Sequence, residues 1–197
     1  MAEALFLSLW FESFNEGEIL DRISCVLRQF PFSASRPGIG YVAVHSVSWS
    51  EPVVFQETFD HRVEVDQAIA LAQDVLHSDN AYVFEATWDL WAPIPQQGRW
   101  SRQAQKVRFI AHGEDFDEGA NNESGHVQVD FGLDSHFLHE ELELTPELEK
   151  RVQVNLQMLV EFIGRVEKSG DAATRLLWSE SDENLAQKLI SRLQKVQ

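Results

Sequence analysis

The sequence predicts an α+β protein: a ferredoxin-like β-α-β-β-α-β core over residues 1–91, an added β-hairpin with an acidic loop over 104–131, and a helical C-terminal part over 145–197, all in a single domain 1–197. Three observations predict it. Apolar patterns of period two and period 3.6 alternate in that order along residues 4–91. A composition of 44% hydrophobic and 24% charged residues supplies enough apolar surface for a core and excludes overall disorder. Residues 145–197 carry two apolar stripes at helical spacing.

Ala4 to Glu12 reads as a largely buried first strand. Asn15 is the predicted N-cap of the first helix, with Glu18 placed for a capping box and Phe14 and Ile19 for a hydrophobic staple. Ile19, Ile23, Val26, Leu27 and Phe30 form its stripe, and Pro31 ends it. The glycines of Gly38-Ile39-Gly40, behind Arg36, would let a phosphate approach the backbone, but two glycines before a strand read more simply as a turn. Tyr41–Trp49 and Val53–Phe59 read as the second and third strands. Val65, Ile69, Ala72, Val75 and Leu76 mark a second helix ending near Asn80. In the fourth strand, Tyr82, Phe84, Ala86, Trp88 and Leu90 take one face, with Glu85, Asp89 and Trp91 on the other.

Residues 92–103 read as a loop. Gln105–Ala111 and His126–Phe131 read as fifth and sixth strands, a long-looped hairpin whose simplest place is the sheet edge. Thr145 caps a helix with Pro146 at its first position, and Leu148, Val152, Leu159, Phe162, Ile163 and Val166 form its stripe. Ser181 is the expected cap of a last helix carrying Leu185, Leu189, Ile190, Leu193 and Val196.

Composition limits function. No stretch reaches the roughly 20 apolar residues of a membrane span. The apolar Met1–Phe11 lacks a basic region and a small-residue cleavage pattern, so it reads as a strand rather than a signal peptide, and a cytoplasmic location is expected. The single cysteine, Cys25, excludes an internal disulfide framework and reads as a small apolar residue on a helix. A formal net charge of −16 argues against sequence-independent nucleic-acid binding. The acidity is local: residues 112–149 hold 12 acidic residues and no Lys or Arg, while the rest of the chain nets −4.

That segment and the tryptophans supply the candidate sites. The preferred reading is a non-enzymatic, acidic interaction or regulatory protein that binds another protein through Trp91, Trp100, Asp115, Asp117 and Glu118, without a cofactor, nucleic acid or membrane. Its two C-terminal helices offer a homodimer face. The second reading is a metal-dependent hydrolase or metal-binding protein in which His112, Asp115, Asp117, His126 and Asp130 hold a divalent ion and an open coordination position activates water. Against it, residues 115–126 depart from a calcium loop, with glycine at the fifth position and His126 at the twelfth. His136 and His139, three apart, lack any His-Glu-x-x-His context; the simpler expectation is that they face water. The third reading is a small-ligand sensor or carrier, with its ligand between sheet and C-terminal helices. The mildly basic stripe Arg99, Arg102, Lys106 and Arg108 is expected to pair with the acidic loop. No Gly-x-Ser-x-Gly elbow, Walker loop or Gly-x-Gly-x-x-Gly is present.

Overall fold

A computed structural model describes residues 3–94, 99–138, 144–169, 171–179 and 185–194, with the side chains of 186 and 191–194 outside the description. In chain order the elements are β1 (Ala4–Phe11), α1 (Ile19–Arg28), β2 (Ile39–Ser46), β3 (Val53–Val63), α2 (Val65–Gln73), β4 (Asn80–Pro93), β5 (Trp100–His112), α3 (Ala120–Ser124), β6 (Val127–Leu133), α4 (Ser135–Leu138), α5 (Pro146–Ser169), β7 (Ala172–Ser179) and α6 (Leu185–Gln194). The strands form one seven-stranded sheet in the order β3-β2-β4-β5-β6-β1-β7, and every neighbouring pair is antiparallel.

This order corrects the ferredoxin-like prediction. That fold places the first strand between the third and fourth. Here β2 takes that place, and β1 pairs instead with β6 and β7. The physical reason lies in β4 and β5. They run as a long two-stranded ribbon from Ala81–His112 to Pro93–Trp100, closed by a short connection, and chain-adjacent pairing has little loop entropy to overcome. The ribbon takes the free side of β4, β6 follows β5, and β1 is displaced three strands away. The hairpin is therefore central and not at the sheet edge. Most of the expected loop 92–103 is strand in so far as it is described. A strand, β7, also separates the two C-terminal helices, so 145–197 is not purely helical. Ser181, His139, Leu193 and Val196 lie outside the described positions or side chains.

Directly paired antiparallel residues share a face, so register sorts the sheet into two sides. One row runs Glu57, Val42, Phe84, Phe109, Val129, Leu7 and Leu177; α1 and α5 pack on this side. From α1 come Ile19, Ile23, Val26 and Leu27, and from α5 come Val152, Leu156, Leu159, Phe162 and Val166, all buried. Phe30 sits at their meeting point, with ring centroids 5.0–5.6 Å from Phe109, Trp88 and Phe162. Each such buried aromatic contributes about 1.5–3 kcal/mol of burial free energy.

The helix starts follow local chemistry. Asn15 Oδ1 accepts from Gly17 N at 3.0 Å, as an N-cap does, although a 3₁₀ turn, Glu16–Glu18, precedes α1. Glu64 and Gln67 form a reciprocal capping box on α2. Thr145 Oγ1 accepts from Leu148 N at the head of α5.

The opposite sheet face carries no α1 or α5. Its next row is Thr58, Tyr41, Glu85, Arg108, Asp130, Phe6 and Trp178. Residues 113–126 fold back over one end of this face. Phe116 is fully buried beside Trp49, while Ser8 Oγ donates to Ser124 O and Trp10 Nε1 to Asn122 O. Among the described residues no helix is long and apolar enough to cross a membrane.

Candidate functional site

The open face holds a recess of about 490 Å³ where β3, β2, β4 and β5 run side by side. It originates in the β2–β3 ladder. Ile39 pairs with Val63 and Tyr41 with Thr58, so Phe59–Arg62 of β3 lie opposite Gly40 alone. A bulge of this size breaks the ladder and re-aims its side chains. Arg62 turns back over Gly40, where an added Cβ would stand 2.7 Å from Nη1. Gly38, beside it, holds φ at +88° and would press a Cβ onto Val63 O at 2.4 Å. Gly38 therefore needs glycine for both space and backbone conformation, while a side chain at Gly40 would push aside the end of Arg62.

The recess is lined by Arg62, Lys106 and Arg108, by Tyr41, Thr58 and Phe59, and by one carboxylate, Glu85. Glu85 is directly paired with Arg108 across the β4–β5 ladder. Its Oε1 accepts from Arg108 Nη2 at 3.1 Å and Nε at 3.3 Å, and its Oε2 meets Lys106 Nζ at 2.7 Å. The carboxylate is only 12% exposed, and both oxygens are taken. Arg62 is different. Nη1 donates to Gly38 O at 3.3 Å, but among the described residues Arg62 has no carboxylate within ion-pair distance. Partial burial pushes its guanidinium below the ordinary arginine range, Arg36 nearby pushes the same way, and Glu85 opposes both. Three cations thus share the recess with one anion, on a chain of net charge −16.

The predicted metal residues are not assembled. His112 is buried, and its Nδ1 lies 2.9 Å from Gly125 O, so Nδ1 carries the proton. His126 Nδ1 accepts from Phe11 N at 3.0 Å, and its ring stacks on Phe14. A metal on His126 Nε2 would place a proton on Nδ1, facing the Phe11 N–H. Desolvation lowers the affinity of both rings for a further proton. Asp130 pairs across from Arg108, four positions along β5 from His112, which is roughly 13 Å of strand, and its Oδ1 accepts from Gly132 N. Asp115 is exposed and accepts from Ser78 Oγ at 2.7 Å. Asp117 is half-buried, with left-handed backbone and its N–H on Val47 O. Among the described residues no group of three or more His, Cys, Asp or Glu is placed to hold a metal ion.

The predicted partner-binding residues fall at two separate places. Asp115 and Glu118 are exposed on the turn anchored by Phe116. Trp91 and Trp100 are half-buried on the distal β4–β5 ribbon, where Arg151 and Arg102 stand 4.8 and 5.8 Å from the Trp91 ring centre.

Sequence reasoning noticed Lys106 and Arg108 but expected them to pair with the acidic loop; they pair with Glu85. It also noticed Arg36 and the two glycines, and read a turn. It missed Arg62, and it placed Glu85 on the polar face of β4 without pairing it to Lys106 and Arg108. The readable signal was parity: Lys106 and Arg108 share one face of β5, and Glu85 takes the polar face of β4. Nothing local announced the bulge that adds Arg62. No protein-family model, curated protein or solved structure matches the chain.

Proposed function

We propose that this chain binds a small organic anion in the recess on the open sheet face. The observation that carries the reading is the Arg62 guanidinium, partly desolvated and without a carboxylate partner, held beside Lys106 and Arg108. A cation taken out of water without a counter-ion is costly, and an anionic ligand removes that cost. The volume of about 490 Å³ falls in the range of small-molecule sites. The negative charge of the whole chain works against long polyanions and leaves a compact ligand as the better fit. This keeps the sensor-or-carrier reading and moves its site from beneath the C-terminal helices to the other sheet face.

The test is thermal unfolding with citrate, phosphate and acetate at fixed ionic strength, in the wild type and in Arg62→Gln. A ligand at 100 times its Kd adds about 2.7 kcal/mol. Excluded anions stabilise any fold, and that effect survives in the variant. Stabilisation lost in Arg62→Gln supports the reading, and equal stabilisation of both proteins overturns it.

The acidic turn carries a second reading, a basic protein partner. Exposed Glu114, Asp115 and Glu118 stand on a turn held by buried Phe116, which presents charge without much ordering cost. Neutralising Asp115, Asp117 and Glu118 together would then slow association with such a partner at low salt.

A further inference from the structure

We infer that the anionic group taken by this recess is a phosphate monoester on a small organic molecule. The inference rests on the anion-binding reading just given and narrows it by charge, donor geometry and space.

Charge comes first. Arg62, Lys106 and Arg108 against Glu85 leave the recess with two positive charges in excess. A carboxylate or sulfonate balances one of them. A phosphate monoester carries about −1.5 to −2 at pH 7 and balances both. The remainder matters here because Arg62 is partly buried, where an uncompensated charge costs more than at the surface.

Donor geometry points the same way. Arg62 presents a planar fork suited to two oxygens of one group. Lys106, 64% exposed, has a mobile ammonium with three donors, only one of which meets Glu85. Glu85 binds Lys106 with one oxygen and Arg108 with the other, so it holds both cations at the rim before any ligand arrives. Three phosphoryl oxygens match this donor set better than two. Thr58 adds a hydroxyl to the lining.

Space separates an organic phosphate from the free ion. A lone phosphate would fill a small part of about 490 Å³. The remaining wall includes the Tyr41 and Phe59 rings and the Gly40 backbone, which suits a flat or apolar body attached to the ester oxygen.

Titration calorimetry on the full chain at pH 7.5 tests this with probes that share one body: phenyl phosphate, benzenesulfonate and benzoate, with inorganic phosphate as the fourth. Phenyl phosphate is expected to bind at least tenfold tighter than either monoanion and tighter than inorganic phosphate. Its advantage should shrink severalfold at pH 5.5, where the ester has lost most of its second charge. Arg62→Lys, which keeps the charge and loses the fork, should weaken phenyl phosphate about tenfold. Lys106→Gln, at an exposed rim position, should weaken it severalfold and serves should the Arg62 variant misfold. Monoanions binding as well as phenyl phosphate would overturn the phosphate assignment and leave anion binding standing. Inorganic phosphate binding equally would overturn the organic body. No heat with any of the four would overturn the phosphate assignment and the anion-binding reading together.

Discussion

The side-chain amide of Asn155 closes a two-point clamp on the backbone of Trp91: Oδ1 accepts from Trp91 N and Nδ2 donates to Trp91 O, both at 2.8 Å. The same Nδ2 donates to His136 O at 2.9 Å, and the side chain is fully buried. One amide therefore ties β4, α4 and α5 together where the β4–β5 ribbon leaves the helical layer.

Asn155→Leu fills the same space without any of the three hydrogen bonds. Each buried group left unpaired costs about 1–3 kcal/mol, although partial access to water reduces the sum. The expected loss is about 3 kcal/mol in urea unfolding. A change under about 1 kcal/mol would show that the clamp is not structural.

Phe116→Ala should cost about 3–4 kcal/mol, because the ring is fully buried against Trp49 and His112. Faster amide exchange should follow in 113–125, together with a shifted Trp49 emission. Glu118→Gln, on the exposed rim of the same turn, should change stability by less than about 0.5 kcal/mol. Equal effects from the two variants would mean that the turn is not anchored by its aromatic.

Stability should fall as pH drops from about 7 to about 5. Three histidines, His45, His112 and His126, have proton affinities lowered first by desolvation. Arg108 adds to this at His45; Gly125 O and Asp117 oppose it at His112. The unfolded chain then binds more protons than the native one below the ordinary histidine value of 6.5. Their contribution is complete above that value and is lost as pH falls through the lowered native values. His112→Asn, whose amide can still donate to Gly125 O, should flatten the profile of urea midpoint against pH. An unchanged slope would remove His112 from the account.

Strand faces were readable because parity is local. Tyr82, Phe84, Ala86, Trp88 and Leu90 are buried on one side of β4, as their alternation implies, and Glu85 lies on the other. The Asn15 and Thr145 caps were readable because the bond spans a few residues. Glu64 escaped notice as a cap because glutamate is not among the short side chains that usually fill that position. β7 escaped because Ala172–Ser179 lies between two helical stripes and is an edge strand whose middle, Ala173–Leu176, is exposed on both faces and shows no alternation. Strand order was not readable at all, since no local pattern records whether the neighbour of β1 is β6 or β4. The recess depends on that order and on a ladder slip at Gly40, so its charges could be seen singly but not together.

The place of β1 in the sheet sets a timetable. Leu5, Leu7 and Leu9 are made long before the strands on either side of them, β6 and β7, and Leu5 pairs with Ser179. At a synthesis rate of about 5–20 residues per second, on the order of ten seconds or more separates them. Throughout that interval an apolar strand has two unpaired edges, the condition under which strands join the wrong partner. Slow synthesis or an early stop before β6 should therefore harm this protein more than a substitution of equal cost in β3, which pairs with β2 almost as soon as it is made.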